Sequence, residues 1–144
     1  MSEIKAVYRS RTRTKERKQI RGAENAVEYL REIWNKDTLE LTEDFVMVCL
    51  NNAHQAIGWV KISSGGFDAT NVDPRVVFSL ALQVGAAALF FGHNHPSGLV
   101  EPSPQDRDVT AKLSAAGRLL NIQVLDHIIL GKDSAFSFAE HGLI

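Results

Sequence analysis

Two histidines and an aspartate lie close together in the segment HNHPSGLVEPSPQD, which runs from His93 to Asp106. Zinc accepts imidazole nitrogen and carboxylate oxygen as ligands, and a catalytic zinc keeps three protein ligands and one open position. His93 and His95 alternate with one residue at the predicted end of a strand, so both side chains project to the same side. Asp106 supplies a third ligand if the loop folds back, and its Pro, Ser and Gly residues favour turns. The segment therefore indicates an open zinc site of the catalytic type.

The same segment also has a purely structural interpretation. Ser103 and Asp106 form an S-x-x-D pattern, a variant of the helix capping box, with Pro104 at the first helical position. The two histidines would then only line a polar loop. The Ser103 hydroxyl either caps the helix or donates a hydrogen bond to a reacting oxyanion, and the sequence does not separate these roles.

Hydrophobic periodicity and turn residues predict the elements that must hold this segment. We expect helices over 22–36, over 73–87 with Asp73 as N-cap, and onward from Pro104. Strands are expected over 43–51, 56–63, 87–93, 122–130 and 135–138, a short strand over 3–10, and a loop over 64–70. Strands and helices alternate around one hairpin, so we expect an α/β, sandwich-like domain with a mixed central sheet and helices packed on it.

The composition fits one globular domain. The chain has 144 residues, of which 44% are apolar and 23% charged, which is enough apolar material for a single core. The apolar stretches are too short to span a bilayer, and the N-terminus has no signal-peptide core. The single cysteine, Cys49, lies in the apolar run FVMVCL. We therefore expect a cytoplasmic protein with a buried, unreactive thiol.

The charge is unevenly distributed along the chain. Residues 1–21 carry eight Lys and Arg against two Glu, or +6, whereas residues 22–144 carry eight against fifteen acidic residues, or −7. We therefore distinguish a basic N-terminal arm, 1–21, from a single metal-binding domain, 22–144. The arm is either a nucleic-acid contact or a solvated segment against the acidic body. Its alternating basic residues share one face if the chain is extended: Arg9, Arg11, Arg13, Lys15 and Arg17.

The histidine segment resembles the metal-binding motif of the JAB/MPN domain, the JAMM motif. That motif is His-x-His-Pro, then an Asp with ten residues between it and the second His, and a Ser three before the Asp; the chain matches each position. The segments LDHIILG and SFAEHGL, together with GWVKISSGGFDATNVDPRVVFSLAL, further resemble the RadC family of bacterial JAB-domain proteins. The resemblance covers about residues 40–144.

This resemblance implies a JAB/MPN-like fold, with cytidine-deaminase-like layering, in which His93, His95 and Asp106 bind Zn²⁺. The metal would lower the pKa of a bound water towards ~7. A glutamate would take the proton of that water and pass it to the leaving nitrogen, and Ser103 would stabilise the oxyanion. The implied activity is hydrolysis of an amide or isopeptide bond without a covalent intermediate, as in metalloproteases.

The family's glutamate precedes a hydrophobic strand, and TEDFVMVCL is similar to that pattern, which makes Glu43 the candidate general base. Glu40 and Asp44 lie close by in the sequence and remain alternatives. Strand alternation puts Glu43 with Phe45 on one face and Asp44 on the other. The structural alternative for Glu43 is a surface position at the start of a strand.

Two polar residues, Asp126 and His127, interrupt the apolar run VLDHIIL. Buried polar groups need partners, so either one orients a metal-bound imidazole from behind or both are satisfied core residues. The substrate is expected to be a protein or peptide of unknown identity. The alternative function is a non-catalytic metal-binding module, or an accessory of DNA repair or of mobile elements that contacts nucleic acid through the basic arm.

Overall fold

The computed structural model describes residues 1–5, 7–66 and 72–144, so most of the loop predicted over 64–70 lies outside the described residues. The described part contains three α-helices, five strands and one turn of 3-10 helix at Thr14–Glu16. The helices are α1 Ala23–Ile33, α2 Pro74–Gln83 and α3 Pro104–Leu119. The strands are β1 Asp44–Leu50, β2 Ala56–Ser64, β3 Ala88–Asn94, β4 Gln123–Leu130 and β5 Ala135–Ser137.

The five strands form one mixed sheet in the order β2-β1-β3-β4-β5. β1 is antiparallel to both of its neighbours, and β4 is antiparallel to β5. β3 and β4 are parallel, and α3 is the connection between them, as a parallel pair requires. β1 and β3 are buried at every position, because helices cover both faces of the sheet. The mixed α/β sheet expected from the sequence is confirmed.

Alternate residues of the central strands supply the two faces. Phe45, Met47 and Phe91 point towards the layer formed by α2 and α3. Val46, Val48 and Phe90 point towards α1 on the opposite face. The molecule is thus a sandwich of α1, the sheet, and the pair α2 and α3.

Gly92 lets α1 approach the centre of the sheet. A Cβ atom at this position would lie 2.6 Å from Cδ1 of Leu30, the fully buried leucine of α1. A methyl group there would force either the side chain or the helix to move. The absence of a side chain at Gly92 therefore determines how closely α1 packs on the strand that carries His93.

The starts of two helices agree with the predicted caps. The Asp73 carboxylate accepts a hydrogen bond from the backbone N–H of Arg75 at the start of α2. Ser103 and Asp106 form the complete capping box of α3, with Pro104 as its first residue. The longest helix, α3, has 16 residues, and no helix in the described part of the chain is long and apolar enough to cross a membrane.

The prediction of a strand over 3–10 is wrong for the described residues in that range, which adopt no regular structure. Tyr8 instead donates its hydroxyl hydrogen to the carbonyl of Ile57 on β2. Backbone hydrogen bonding to β2 occurs further along the chain, where the N–H of Ala56 donates to the carbonyl oxygen of Lys18. A strand needs a partner as well as strand-forming residues, and the described residues of this segment form no ladder with the sheet.

Candidate metal centre

His93 and His95 converge at the carboxyl end of β3. His93 is the penultimate residue of the strand and is fully buried. His95 continues the strand direction by one residue, because its N–H bonds the carbonyl of Leu130 on β4. The two side chains therefore project to the same side, and their Nε2 atoms lie 2.9 Å apart.

The capping box of α3 brings Asp106 to this pair. Its Oδ1 lies 3.4 Å from Nε2 of His93, and its Oδ2 lies 3.3 Å from Nε2 of His95. A tetrahedral zinc with bonds of ~2.0–2.1 Å separates its ligand atoms by ~3.3–3.4 Å. The two carboxylate–imidazole separations, each to a different oxygen of Asp106, match this spacing, whereas the distance of 2.9 Å between the two Nε2 atoms is shorter.

Glu43 borders the same centre from the start of β1. Its Oε1 lies 3.9 Å from Nε2 of His95, and ligand atoms of Glu43, His93 and His95 all lie within 4.8 Å of one another. Two carboxylates therefore face the imidazoles, Glu43 at the partly exposed edge and Asp106 from the buried side. The cluster has the donor groups and the spacing to hold a metal ion.

The other two acidic candidates near Glu43 point elsewhere. The Asp44 carboxylate accepts the hydroxyl of Ser64 and pairs with Lys61 at 2.7 Å, both on β2. Glu40 forms an exposed ion pair with Lys132 at 3.5 Å. Of the three acidic residues that the sequence left open, only Glu43 lies beside the histidines.

Asn94, the residue between the two histidines, holds the segment that carries Glu43. Its side-chain oxygen accepts the backbone N–H of Asp44 at 2.8 Å. Its amide nitrogen donates to the carbonyls of Leu39 and Thr42, both at 2.7 Å. Three hydrogen bonds from one fully buried side chain thus fix the backbone on either side of Glu43. The sequence signal for this residue was a polar side chain inside a buried strand, which requires partners.

The hydrogen bonds of His95 define which of its nitrogens can bind a metal. Nδ1 lies 2.6 Å from the carbonyl oxygen of Leu99, and a carbonyl oxygen only accepts, so Nδ1 carries a proton. In the neutral ring, Nε2 then has the lone pair, and Nε2 is the atom that faces Asp106. The hydrogen bond to the loop after β3 therefore leaves Nε2 as the nitrogen of His95 that could bind a metal.

The charged groups of the centre influence one another strongly. Burial raises the pKa of Asp106, but hydrogen bonds from His93 and His95 outweigh it and hold that pKa well below its usual range. Burial lowers the pKa of His93, whereas the hydrogen bond to Asp106 raises that of the more exposed His95. Burial, with repulsion from Asp106, raises the pKa of Glu43 against the opposing attraction of His95.

Ser103 lies beside the centre at the N-terminus of α3. Its Oγ accepts the N–H of Asp106 at 3.1 Å, and its own N–H donates to Oδ2 of Asp106 at 2.7 Å. The capping bond uses a lone pair of the hydroxyl and not its proton. A hydroxyl can therefore cap this helix and donate to another oxygen at the same time, so the two roles considered for Ser103 are compatible.

Asp126 and His127 are neighbours on β4 with different surroundings. Asp126 accepts hydrogen bonds from the hydroxyl of Ser137 and from the N–H groups of His127 and Ala139, which is the pattern of a satisfied core carboxylate. His127 is fully buried, and its Nε2 lies 2.7 Å from Nδ1 of His93. His127 is therefore the member of the pair that contacts the histidine cluster.

Thr110 is a neighbour of the cluster that sequence reasoning missed. Its Oγ1 lies 2.6 Å from Nδ1 of His127. The only available signal was its position on α3, one helical turn after Asp106 and on the same buried face.

The chain is similar in sequence to known proteins over most of its length. A RadC-like JAB domain matches residues 20–143. A UPF0758 protein of Pseudoalteromonas atlantica is 47% identical over 105 residues, covering 73% of this chain and 47% of that protein. One from Flavobacterium johnsoniae is 41% identical, covering 70% and 44%, and one from Vibrio cholerae is 44% identical, covering 88% and 81%. The chain spans about half the length of several curated relatives that it matches. By this match over most of its length, the chain belongs to the RadC family of JAB-domain proteins.

Proposed function

We propose that the protein is a zinc-dependent hydrolase that cleaves an amide or isopeptide bond. The observation that carries the proposal is the spacing of His93, His95 and Asp106, with the Glu43 carboxylate beside them. Two imidazoles favour zinc over magnesium or calcium, which prefer oxygen ligands. Three protein ligands leave one position open, as catalytic zinc sites do. We assign the three ligand roles to the two histidines and Asp106.

A bound zinc would supply Lewis acidity that brings the pKa of water towards ~7. The protein groups would move the proton. In the proposed reaction the water oxygen bonds to the carbonyl carbon, and Glu43 accepts a proton from that water. The C–N bond breaks as Glu43 returns this proton to the leaving nitrogen. The position of Glu43 at the partly exposed edge of the cluster supports this role, because both water and substrate can reach it.

Ser103 is the proposed donor to the oxyanion that forms on the carbonyl oxygen. Its hydroxyl proton is not used by the capping bond, since that bond requires only a lone pair. Donors held in place before the reaction stabilise developing charge without reorganising. The capping box supports this role because it fixes the Ser103 backbone relative to Asp106.

The metal assignment is tested by titrating zinc against a chelating indicator. One zinc per chain is expected for the native protein, and the double variant His93→Ala/His95→Ala should bind none while remaining folded. His54→Asn is the matched control, because His54 lies in the distant β1–β2 turn at φ 55, a conformation that asparagine tolerates. Native protein that contains no zinc and gains none on titration would exclude the metal site.

The catalytic assignment is tested with Glu43→Gln, which keeps the size and removes the basic carboxylate. Zinc content should be unchanged, and cleavage of an isopeptide-linked reporter should fall by roughly 10²–10⁴-fold. Glu40→Gln is the control, since that exposed carboxylate pairs with Lys132 instead of the histidines. Native protein that binds zinc but cleaves no reporter in a broad peptide and isopeptide panel would favour the non-catalytic metal-binding module.

A second candidate function is contact with nucleic acid through the basic arm. Arg9, Arg11, Arg13 and Lys15 are exposed and Arg17 is half-buried. The turn of 3-10 helix at Thr14–Glu16 interrupts the alternation between Arg13 and Arg17, so the five do not follow one extended face. Their exposure and the charge of +6 over residues 1–21 support a sequence-independent attraction to phosphates.

A further inference from the structure

A continuous series of hydrogen bonds connects the backbone of α3 to His93 through the interior of the protein. Thr110 Oγ1 lies 2.6 Å from the carbonyl oxygen of Asp106 and 2.6 Å from Nδ1 of His127. His127 Nε2 lies 2.7 Å from Nδ1 of His93. Thr110, His127 and His93 are each at most 1% exposed, so water does not compete for these bonds.

The direction of every bond in this series follows from its first member. The carbonyl oxygen of Asp106 can only accept, so the single hydroxyl proton of Thr110 is donated to it. Thr110 Oγ1 must then accept from His127, which places the His127 proton on Nδ1. The His127 ring is fully buried, and its two nitrogens face a hydroxyl and another imidazole instead of a carboxylate. Burial without a carboxylate partner disfavours the charged ring, so Nε2 of the neutral ring is an acceptor.

The last bond determines the state of His93. Because Nε2 of His127 accepts, Nδ1 of His93 must be the donor and carries a proton. In the neutral His93 ring, the lone pair is then on Nε2, the atom that faces His95 and Asp106. Metals bind the unprotonated nitrogen of a neutral imidazole. The series therefore holds His93 in the tautomer that a metal requires.

The architecture explains why the series can form. β3 and β4 are parallel, with Phe91 opposite His127, so His127 and His93 lie on the same face of adjacent strands. α3 crosses that face and carries Asp106 and Thr110 one helical turn apart. One turn of α3 thus places the Asp106 carboxylate beside His93 and His95 and the Thr110 hydroxyl beside the His127 ring.

We propose that Thr110 and His127 are positioning residues that lock His93 in the Nδ1–H tautomer and so present its Nε2 to the metal. This inference rests on the proposed metal site for its purpose, while the tautomer itself is a property of the metal-free protein. Hydrogen-bond partners behind a ligating histidine typically change metal affinity by 10–100-fold. Loss of the Thr110 hydroxyl is expected to change the metal affinity by the lower end of this range, because His127 lies between Thr110 and His93.

The test compares Thr110→Val with Thr110→Ser in the full chain. Valine has the shape of threonine but no hydroxyl, whereas serine keeps the hydroxyl and loses the methyl group. Without an acceptor for its Nδ1–H, His127 should change tautomer and donate through Nε2, which forces His93 into the Nε2–H form. Ring-nitrogen chemical shifts from ¹⁵N NMR of the metal-free proteins should report His93 as Nδ1–H in the native and serine proteins and Nε2–H in the valine variant.

Zinc affinity is the second readout, measured by competition with a chelating indicator. Thr110→Val should weaken binding by about tenfold, and Thr110→Ser should remain within about twofold to threefold of the native protein. A native His93 in the Nε2–H form overturns the inference, as does a valine variant with unchanged tautomer and affinity. If the native protein has the Nδ1–H tautomer but binds no zinc, the proposed function fails and the tautomer lock stands.

Discussion

At the scale of single residues, Ser103 combines a structural and a chemical role in one hydroxyl. The cap uses the oxygen as an acceptor for the N–H of Asp106, and the proposed catalytic role uses the proton. An ionised aspartate cap offers only the acceptor. A substitution that keeps the acceptor and removes the donor therefore separates the two roles.

Ser103→Asp is that substitution. Aspartate is as good an N-cap as serine, so the melting temperature should stay close to that of the native protein. Cleavage should fall by roughly 10²–10³-fold, because a carboxylate there cannot donate to the oxyanion and repels it. Ser103→Ala is the reference, with an expected stability loss of about 0.5–2 kcal/mol.

Melting temperature and turnover must be measured on the same preparations of the Ser103 variants. If Ser103→Asp keeps both stability and turnover, the serine is only a cap and another group holds the oxyanion. Loss of both would show that the carboxylate disturbs the fold beside Asp106. The turnover of the folded fraction of Ser103→Ala, which removes the donor without adding charge, then tests the oxyanion role.

Burial disfavours a chemical role for the thiol of Cys49. It is 5% exposed on the fully buried strand β1, and burial raises its pKa from 9.0 to about 11. A raised pKa lowers the fraction of reactive thiolate at neutral pH. The expectation of an unreactive thiol is consistent with this position.

At the scale of elements, β3 combines three functions in consecutive residues. Gly92 admits Leu30 of α1, His93 faces the metal centre, and Asn94 binds the segment before β1. The alternation of a strand sends neighbouring side chains to opposite faces. One strand can therefore connect α1, the candidate metal centre and the segment that carries Glu43.

Asn94→Ala should break the connection between β3 and the Glu43 segment. Three backbone groups lose their partner, and an unsatisfied buried group costs about 1–3 kcal/mol. We expect the free energy of unfolding in urea to fall by about 2–4 kcal/mol. Turnover should fall by roughly 10–100-fold because Glu43 is less well held, while zinc affinity changes little.

Asn51→Ala is the matched control for Asn94→Ala. Asn51 also binds backbone, accepting from Ala53 and Gln55, but it lies in the turn at the far end of β1. The Asn51→Ala variant should be less stable than the native protein, but the turnover of its folded fraction should be unchanged. Equal turnover in the two folded variants would contradict the positioning role of Asn94.

At the scale of the whole molecule, the net charge differs in sign between two segments of the chain. Residues 1–21 carry +6 and residues 22–144 carry −7. The arm is attached to the body where Lys18 and Gln19 meet the β1–β2 turn, and Ile20 is buried in the core on the α1 side. The proposed nucleic-acid contact uses the exposed basic residues before that attachment.

Replacing Arg9, Arg11 and Arg13 by glutamine tests the nucleic-acid proposal. If these residues bind phosphates, affinity for a short DNA duplex should fall at low salt. The slope of log K against log salt should become shallower by up to ~0.9 for each phosphate that is no longer neutralised. Fluorescence anisotropy over a salt series measures both quantities.

The control for the arm variant replaces three exposed basic residues of the body by glutamine: Lys36, Lys112 and Arg118. It removes the same charge and should leave the slope nearly unchanged. Equal decreases in affinity for the two triple variants would show that net charge alone explains the loss. If the native protein shows no measurable binding to DNA, this function of the arm is excluded.

Local patterns in the sequence were sufficient for the helices and strands from α1 onward and for the shared side of His93 and His95. The starts of α2 and α3 follow from Asp73-Pro74 and Ser103-Pro104, because caps act within a few residues. The spacing of His93 and His95 at a strand end determined that their rings share a side. The strand predicted over 3–10 failed because propensity does not supply a pairing partner.

Only the tertiary structure decided which polar residues meet. Glu43 rather than Glu40 or Asp44 faces His95 because β2 and Lys132 engage the other two carboxylates. His127 rather than Asp126 reaches His93 because of the β3–β4 register. Such contacts join residues far apart in the sequence, and their geometry depends on strand register and helix docking. Periodicity assigns a side chain to a face of its own element and does not identify its partner residue on another element. The sequence by itself therefore determined the local spacing of the candidate ligands, and packing decided their partners.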